Sequence, residues 1–270
     1  MEIRYSIFDP TGNITALAES PVEPAERQKA AVAIMRRHPE VEQVGFLHPA
    51  GADALPSLSM AGGEFCGNAS MCAAALISMH SSTDGEISLR VSGAAEPVTV
   101  TLRQTDGDAY RTELQMPPAR EIEERSFAFE SLEGTLPLVR MEGISHLIAE
   151  PDSPFFSLLE NRAAAERAVR QWCRELKADG LGLLFLEGEG VERRMTPLVY
   201  IPGSGTVFWE NSCASGSAAV GMFLSARSKV PVDISLREPG GILSVKSDAR
   251  IGKTLLRGAV RLTAAYTEEV

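Results

Sequence analysis

Two cysteine segments hold the residue types needed for proton chemistry at a carbon atom. In GGEFCGNASMCAAALIS, Cys66 stands just ahead of an Ala-rich helical run, and in WENSCASGSAAVGMFLS, Cys213 stands just ahead of another. A thiol at a helix start faces the positive end of the helix dipole, which favours the thiolate. Gly67 lets a ligand come close to the backbone, and free amides at a helix start suit a carboxylate. Cys213-Ala214-Ser215-Gly216-Ser217 repeats the arrangement with small residues that leave such amides uncovered. An amino acid whose carboxylate lies between two such helix starts presents its α-carbon to both sulfurs. One thiolate takes the α-proton from one face and the opposite thiol returns a proton to the other, inverting the centre by paired general base and acid. Amide dipoles aimed at the carboxylate stabilise the carbanion in a site that excludes water. This chemistry needs no cofactor.

The plain alternative is two ordinary buried thiols, since free cysteine is among the most buried residue types. The small residues that follow both cysteines argue for the chemistry. Cys72, inside the Ala-rich helix, and Cys173, inside an amphipathic one, keep the structural reading. The cysteine spacings fit no zinc pattern, so no metal site is expected. A thiol protein that binds metal or senses redox state is the non-enzymatic alternative.

The elements that must position these segments occur in the same order twice. Ile3–Phe8 and Ile14–Ala18 read as strands around the turn Asp9-Pro10-Thr11-Gly12, Pro24–His38 as a helix stopped by Pro39, Val44–Leu47 as a strand, and Asn68–Met79 as a helix. Ile87–Val91, Val98–Leu102 and Thr112–Met116 read as strands, and Pro117-Pro118 breaks regular structure. Then Pro137–Ala149 is strand-like, and its end, HLIAEP, matches the earlier TALAESP. Ala163–Leu176 is a helix, Leu183–Leu186 echoes VGFL, Met195–Ile201 and Thr206–Trp209 are strands, Ala218–Ala226 is a helix of small residues, and Ile242–Val245 is a strand. The division expected is 1–118 and 119–270, with the last strand free to return to the N-terminal domain. Two similar domains facing each other form a cleft at their junction.

Composition sets the limits. The chain has 270 residues, 44% hydrophobic and 23% charged, enough to bury a sizeable core. Its 26 basic and 36 acidic side chains give a net charge of −10, which argues against nucleic acid as a partner. No apolar run of bilayer length and no secretion signal is evident, so no membrane association and a cytoplasmic location are expected. Gly203-Ser204-Gly205 and Pro239-Gly240-Gly241 are turns, without phosphate-loop spacing.

GGEFCGNAS, WENSCASGSAA, the internal repeat and the length together resemble the cofactor-independent amino acid racemases of the diaminopimelate epimerase superfamily, over nearly the whole chain. EQVGF at 42–46, EFCGNASM at 64–71, PLVYIP at 197–202, WENSC at 209–213 and PGGIL at 239–243 are most similar to the histidine racemases of staphylopine-type metallophore biosynthesis. The resemblance implies an α/β (α+β) fold of two pseudo-symmetric domains, each a barrel-like β-sheet around a central helix. It implies a cofactor-independent isomerase that converts L-histidine to D-histidine for an opine-type metallophore, with an amino acid as its small-molecule partner and a homodimer left open. It places the catalytic cysteines on Cys66 and Cys213, with His146 and Glu210 assisting them. It places the substrate carboxylate on the amides of Gly67, Asn68, Ala214 and Ser215, and adds Asn13 and Gln43 as substrate ligands.

Each of these has a plainer reading from the residues alone. Asn13 sits in a turn where Asn is common, His146 lies in an apolar run as a core residue would, and Glu210 could cap the helix after Cys213. The segment IPGSGTVFWENSC lacks the Glu-Arg-Gly that diaminopimelate epimerases use for the far end of their substrate, and Met60 stands near the place of a family asparagine. The departures fit a shorter, less charged side chain such as imidazole. Diaminopimelate or another amino acid is the alternative substrate.

Overall fold

Strands are the commonest element of this chain, some alternating buried with exposed residues and others buried almost throughout, and the computed structural model describes residues 2–51, 54–81 and 84–269. The first half runs β1 (Glu2–Asp9), β2 (Thr15–Ala18), α1 (Arg27–Arg37), β3 (Gln43–His48), β4 (Ser57–Met60), α2 (Gly67–Ser81), β5 (Gly85–Val91), β6 (Val98–Asp106) and β7 (Ala109–Gln115). The second half runs β8 (Glu121–Phe129), β9 (Leu132–Arg140), β10 (Ser145–Ala149), α3 (Arg162–Leu176), β11 (Leu181–Glu187), β12 (Glu192–Ile201), β13 (Thr206–Trp209), α4 (Ala214–Ser228), β14 (Val232–Glu238), β15 (Gly241–Asp248) and β16 (Lys253–Glu269).

The pairing pattern repeats between the halves. β2 and β3 are parallel across α1, as β10 and β11 are across α3. β4 and β5 are parallel across α2, as β12 and β14 are across α4. The intervening pairs are antiparallel in both halves. This is one α/β plan used twice, and it matches TALAESP to HLIAEP as β2 to β10. β16 joins the halves: it pairs with β15 from Lys253, with β7 from Leu255 to Arg261, and with β1 up to Glu269, closing β1 through β7 into a ring.

Inside each half lies a helix with no polar face. α2 is buried from Gly67 through Leu76, and α4 from Ala214 through Ser225. A helix buried on all sides needs no amphipathic stripe. Small residues such as Ala73-Ala74-Ala75, each fully buried, keep α2 thin enough to lie within its sheet. α3 instead presents one apolar face, and its Trp172 packs among Phe127, Phe129 and Phe155 with ring centroids 5.1–6.2 Å away. Its indole N–H donates to the Ala128 carbonyl at 3.1 Å, so the burial leaves no unpaired donor.

Several boundaries differ from the sequence reading. Pro137–Ala149 is two strands, because Gly143 takes φ +69° and turns the chain between β9 and β10. The α4 helix starts at Ala214 rather than Ala218, since burial outweighs the low helix propensity of Gly216 and Ser217. The Pro24–His38 helix divides into a 3-10 turn, Pro24–Glu26, and α1. β4, β8, β14 and most of β16 were not read as strands; β8 and β16 alternate charged, exposed positions with apolar ones over much of their length.

Candidate active site

Gly67 and Ala214 begin the two central helices, and the helix starts meet. A Cβ built on Gly67 would lie 2.8 Å from the Cβ of Ala214, so only glycine permits this approach. Asn68 Nδ2 crosses the junction and donates to the Ser212 carbonyl at 3.0 Å. The cysteines that precede the two helices therefore border one cavity of about 80 Å³, together with Gly67, Asn68, Ala214 and Ser215. These four amides lie at helix starts, where an intrahelical acceptor is missing.

Cys66 Sγ accepts from the Ala69 amide at 3.3 Å and donates to Gln43 Oε1 at 2.9 Å. Gln43 lines the cavity and is held from behind by Asn13, whose Oδ1 accepts from Gln43 Nε2. Asn13 is fully buried and its Nδ2 donates to Glu42 Oε2 at 3.0 Å. Asn13 was expected as a substrate ligand; it is not among the lining residues and stands behind Gln43 and Glu42, which are.

Cys213 caps the start of α4. Its amide donates to Glu238 Oε2 at 2.6 Å, and Ser217 Oγ donates to Glu238 Oε1 at 2.6 Å. Gly216 leaves room for the sulfur, since a Cβ there would lie 3.2 Å from Cys213 Sγ. The Cys213 thiol hydrogen-bonds to the Glu210 carboxyl, and Ser215 Oγ lies 3.6 Å from the same sulfur. His146 Nε2 is 3.0 Å from that Ser215 Oγ. His146 is fully buried and is not among the residues lining the cavity; it is linked to the site by the Ser215 hydroxyl.

The electrostatics reverse one expectation. Helix dipoles were expected to favour thiolates, yet burial pushes Cys66 up to about 12, with the charges of Glu210 and Glu64 adding to it. Burial raises Cys213 well above its ordinary value, with Glu210 and Glu238 adding. Desolvation of an anion in a low-dielectric site outweighs a fractional helix-end charge. Burial also lifts Glu210 and Glu238 to about 8 each and holds His146 neutral by lowering it to about 3. Both thiols are thus protonated near neutrality, beside a carboxyl, Glu210, that exchanges protons in that range.

Three carboxylates, Glu42, Glu64 and Glu210, line the cavity, and among the described residues no Lys, Arg or His does. Glu42 is engaged by Asn13 and by Asn211, whose N and Nδ2 donate at 3.3 and 2.5 Å. Glu64 and the helix-capping Glu238 were not singled out from the sequence. Glu64 had a signal in its closeness to Cys66; Glu238 had none, because β14 meets α4 only in the folded chain. Cys72 and Cys173 are core residues, and Trp209 stacks on Phe185 at 5.8 Å instead of lining the cavity. The other histidines bind structurally: His38 to Tyr5, His48 to Arg27 and His80 beside Glu19. Among the described residues no helix is long and apolar enough to cross a membrane.

The family described as histidine racemase CntK N-terminal domain matches residues 2–267. A histidine racemase of Staphylococcus aureus is 30% identical to this chain over 98% of each. A histidine racemase of Fusobacterium nucleatum is 32% identical over 80% of this chain and 79% of its own. The hydroxyproline epimerase of Agrobacterium vitis, solved with bound trans-4-hydroxy-L-proline, superposes with a TM-score of 0.66 at 15% identity over 99% of this chain and 91% of its own.

Proposed function

The chain belongs to the histidine racemase family and is an amino acid racemase, and on that footing we propose that it inverts the α-carbon of histidine with Cys66 and Cys213 as the acid–base pair. The observation that carries this reading is one cavity bordered by both cysteines, where two helix starts meet and, among the described residues, the charged lining side chains are all carboxylates. The helix-start amides bind the substrate carboxylate, and the carboxylates receive its ammonium and the donors of its ring. A substrate such as diaminopimelate, with a second carboxylate, would meet repulsion from Glu42, Glu64 and Glu210 and find no basic partner.

The pKa order opposes the first proton transfer, since burial holds the Cys213 thiol above Glu210, so the path starts from an ionised Glu210 and needs bound substrate to offset the cost. In one direction the Cys213 proton passes to Glu210, the thiolate removes the α-proton, and the Cys66 thiol protonates the opposite face. In reverse, the Cys66 thiolate is the base and the Cys213 thiol the acid. The substrate ammonium cancels negative charge around both sulfurs, and this lowers the cost of forming a thiolate. The carbanion is held by amide dipoles converging on its carboxylate. Asn13 and Ser215–His146 position this machinery from behind. We read the halves as two domains, 1–118 and 119–270, with β16 shared between them.

The test is α-proton exchange in deuterated water across the common amino acids. L-Histidine should give D-histidine carrying deuterium at Cα, faster than any other amino acid. Retention of the proton and of optical rotation would overturn the reading.

A further inference from the structure

Of the three carboxylates in the cavity wall, two are occupied. Glu42 accepts from two asparagines, and Glu210 accepts from the Cys213 thiol. At Glu64 the backbone amides of Gly62 and of Glu64 itself lie against the carboxyl, but Oε2 is fully enclosed and has no hydrogen-bond partner among the described residues. An enclosed, unpaired carboxylate oxygen is costly unless a donor arrives. A second cavity-lining acceptor, Asn68 Oδ1, is also enclosed and unpartnered, at the helix start beside the carboxylate-binding amides.

The backbone is built to hold the Glu64 carboxylate in place. A Cβ on Gly62 would lie 2.5 Å from Glu64 Oε2 and 2.6 Å from Ile201 Cγ2, so glycine at 62 makes the space that the carboxylate fills. Gly62 also abuts Gly203 in the β12–β13 hairpin. That hairpin supplies Ser204, Thr206 and Phe208 to the cavity wall. The two open acceptors thus differ in place: Asn68 belongs to the helix junction that takes the α-carboxylate, and Glu64 to the loop facing the hairpin.

We propose that Glu64 is a specificity-determining residue, whose Oε2 accepts an N–H from the side chain of the substrate. It selects side chains that bring a ring or chain N–H and rejects those that leave the oxygen buried and unpaired. This rests on the histidine reading and adds to it the residue that does the choosing.

The test compares L-histidine with β-(2-thienyl)-L-alanine, whose ring is similar in size and carries no N–H. Racemisation is followed by α-deuterium exchange with wild-type, Glu64→Gln and Gly62→Ala proteins. The wild-type should prefer histidine by about tenfold or more. Glu64→Gln should raise KM for histidine about tenfold, leave kcat within about threefold, and narrow the histidine preference. Gly62→Ala, which displaces the same carboxylate, should narrow it too. If the wild-type prefers histidine and both variants keep the KM and the preference, Glu64 is not the selector and the histidine reading stands. If the wild-type exchanges thienylalanine or an aliphatic amino acid faster than histidine, the histidine reading fails and this inference goes with it. Far-UV circular dichroism confirms folding of the variants, and the wild-type ratio bears on the proposal even where one does not fold.

Discussion

Glu238, at the end of β14, caps the helix that Cys213 opens, taking the Cys213 amide on one oxygen and the Ser217 hydroxyl on the other, each at 2.6 Å. The carboxylate lies 25 residues downstream of the cysteine it positions. It fixes the first turn of α4, and with it the sulfur and the amides of Ala214 and Ser215. Once ionised, as pH climbs through about 8, it also places negative charge near the thiol and opposes the thiolate that the helix dipole favours. Glu238 thus orients Cys213 and adds to the effects of burial and Glu210 that hold its thiol protonated.

Replacing either sulfur should stop inversion, because each face of the α-carbon needs its own proton carrier. Cys66→Ser and Cys213→Ser should each lower racemisation by about 10²- to 10⁴-fold, the usual worth of a positioned acid or base. Chiral chromatography of histidine incubated with each variant measures this. A single variant that retains wild-type racemisation would remove the two-thiol mechanism.

Gly67→Ala forces a methyl group toward Ala214 at a contact of 2.8 Å. Overpacking of this kind costs about 1–3 kcal/mol. Since the strain separates the two helix starts, kcat/KM should fall more steeply than the melting temperature suggests. Thermal unfolding and steady-state kinetics on the same preparation separate the two effects.

Stability should decline between about pH 6.5 and 8. Glu210 and Glu238 are raised from 4.5 to about 8 on folding, so the native chain keeps protons that the unfolded chain has released. Their contribution is full below 4.5 and is lost as pH climbs through 8. His146 acts oppositely, lowered from 6.5 to about 3, and its contribution is complete above 6.5. Only the carboxylates therefore titrate differently between the two states in the upper window. Urea unfolding at stepped pH should show the decline, and Glu238→Gln should flatten it.

Ser215→Ala removes the hydroxyl between His146 and Cys213, 3.0 Å from one and 3.6 Å from the other. His146 Nδ1 already lacks a partner among the described residues, so the variant leaves the buried ring with neither nitrogen bonded. A loss of about 1–3 kcal/mol in stability is expected, the cost of a buried unpaired polar group. Chemical denaturation measures it. An unchanged midpoint would show that the Ser215 bond does not hold the ring.

The amino-acid order alone determined that two cysteines would open two small-residue helices within a duplicated α/β plan. Those features are local: a helix start follows from the residues beside it, and a repeat from their recurrence. Gly67 and Gly216 were legible as small residues that leave amides open to a ligand; that they make room for Ala214 and for the Cys213 sulfur was not. The acidity of the thiols was not legible. It depends on burial and on Glu64, Glu210 and Glu238, and the last comes from a strand that local periodicity did not reveal. Asn13 and His146 could be singled out as residues, but whether each faces the cavity or stands behind it depends on neighbours brought from far along the chain. Charge effects fall off with distance through space and low-dielectric burial amplifies them, so sequence separation carries little information about either. The folded arrangement alone turned a site expected to hold thiolates into one that holds thiols among buried acidic side chains.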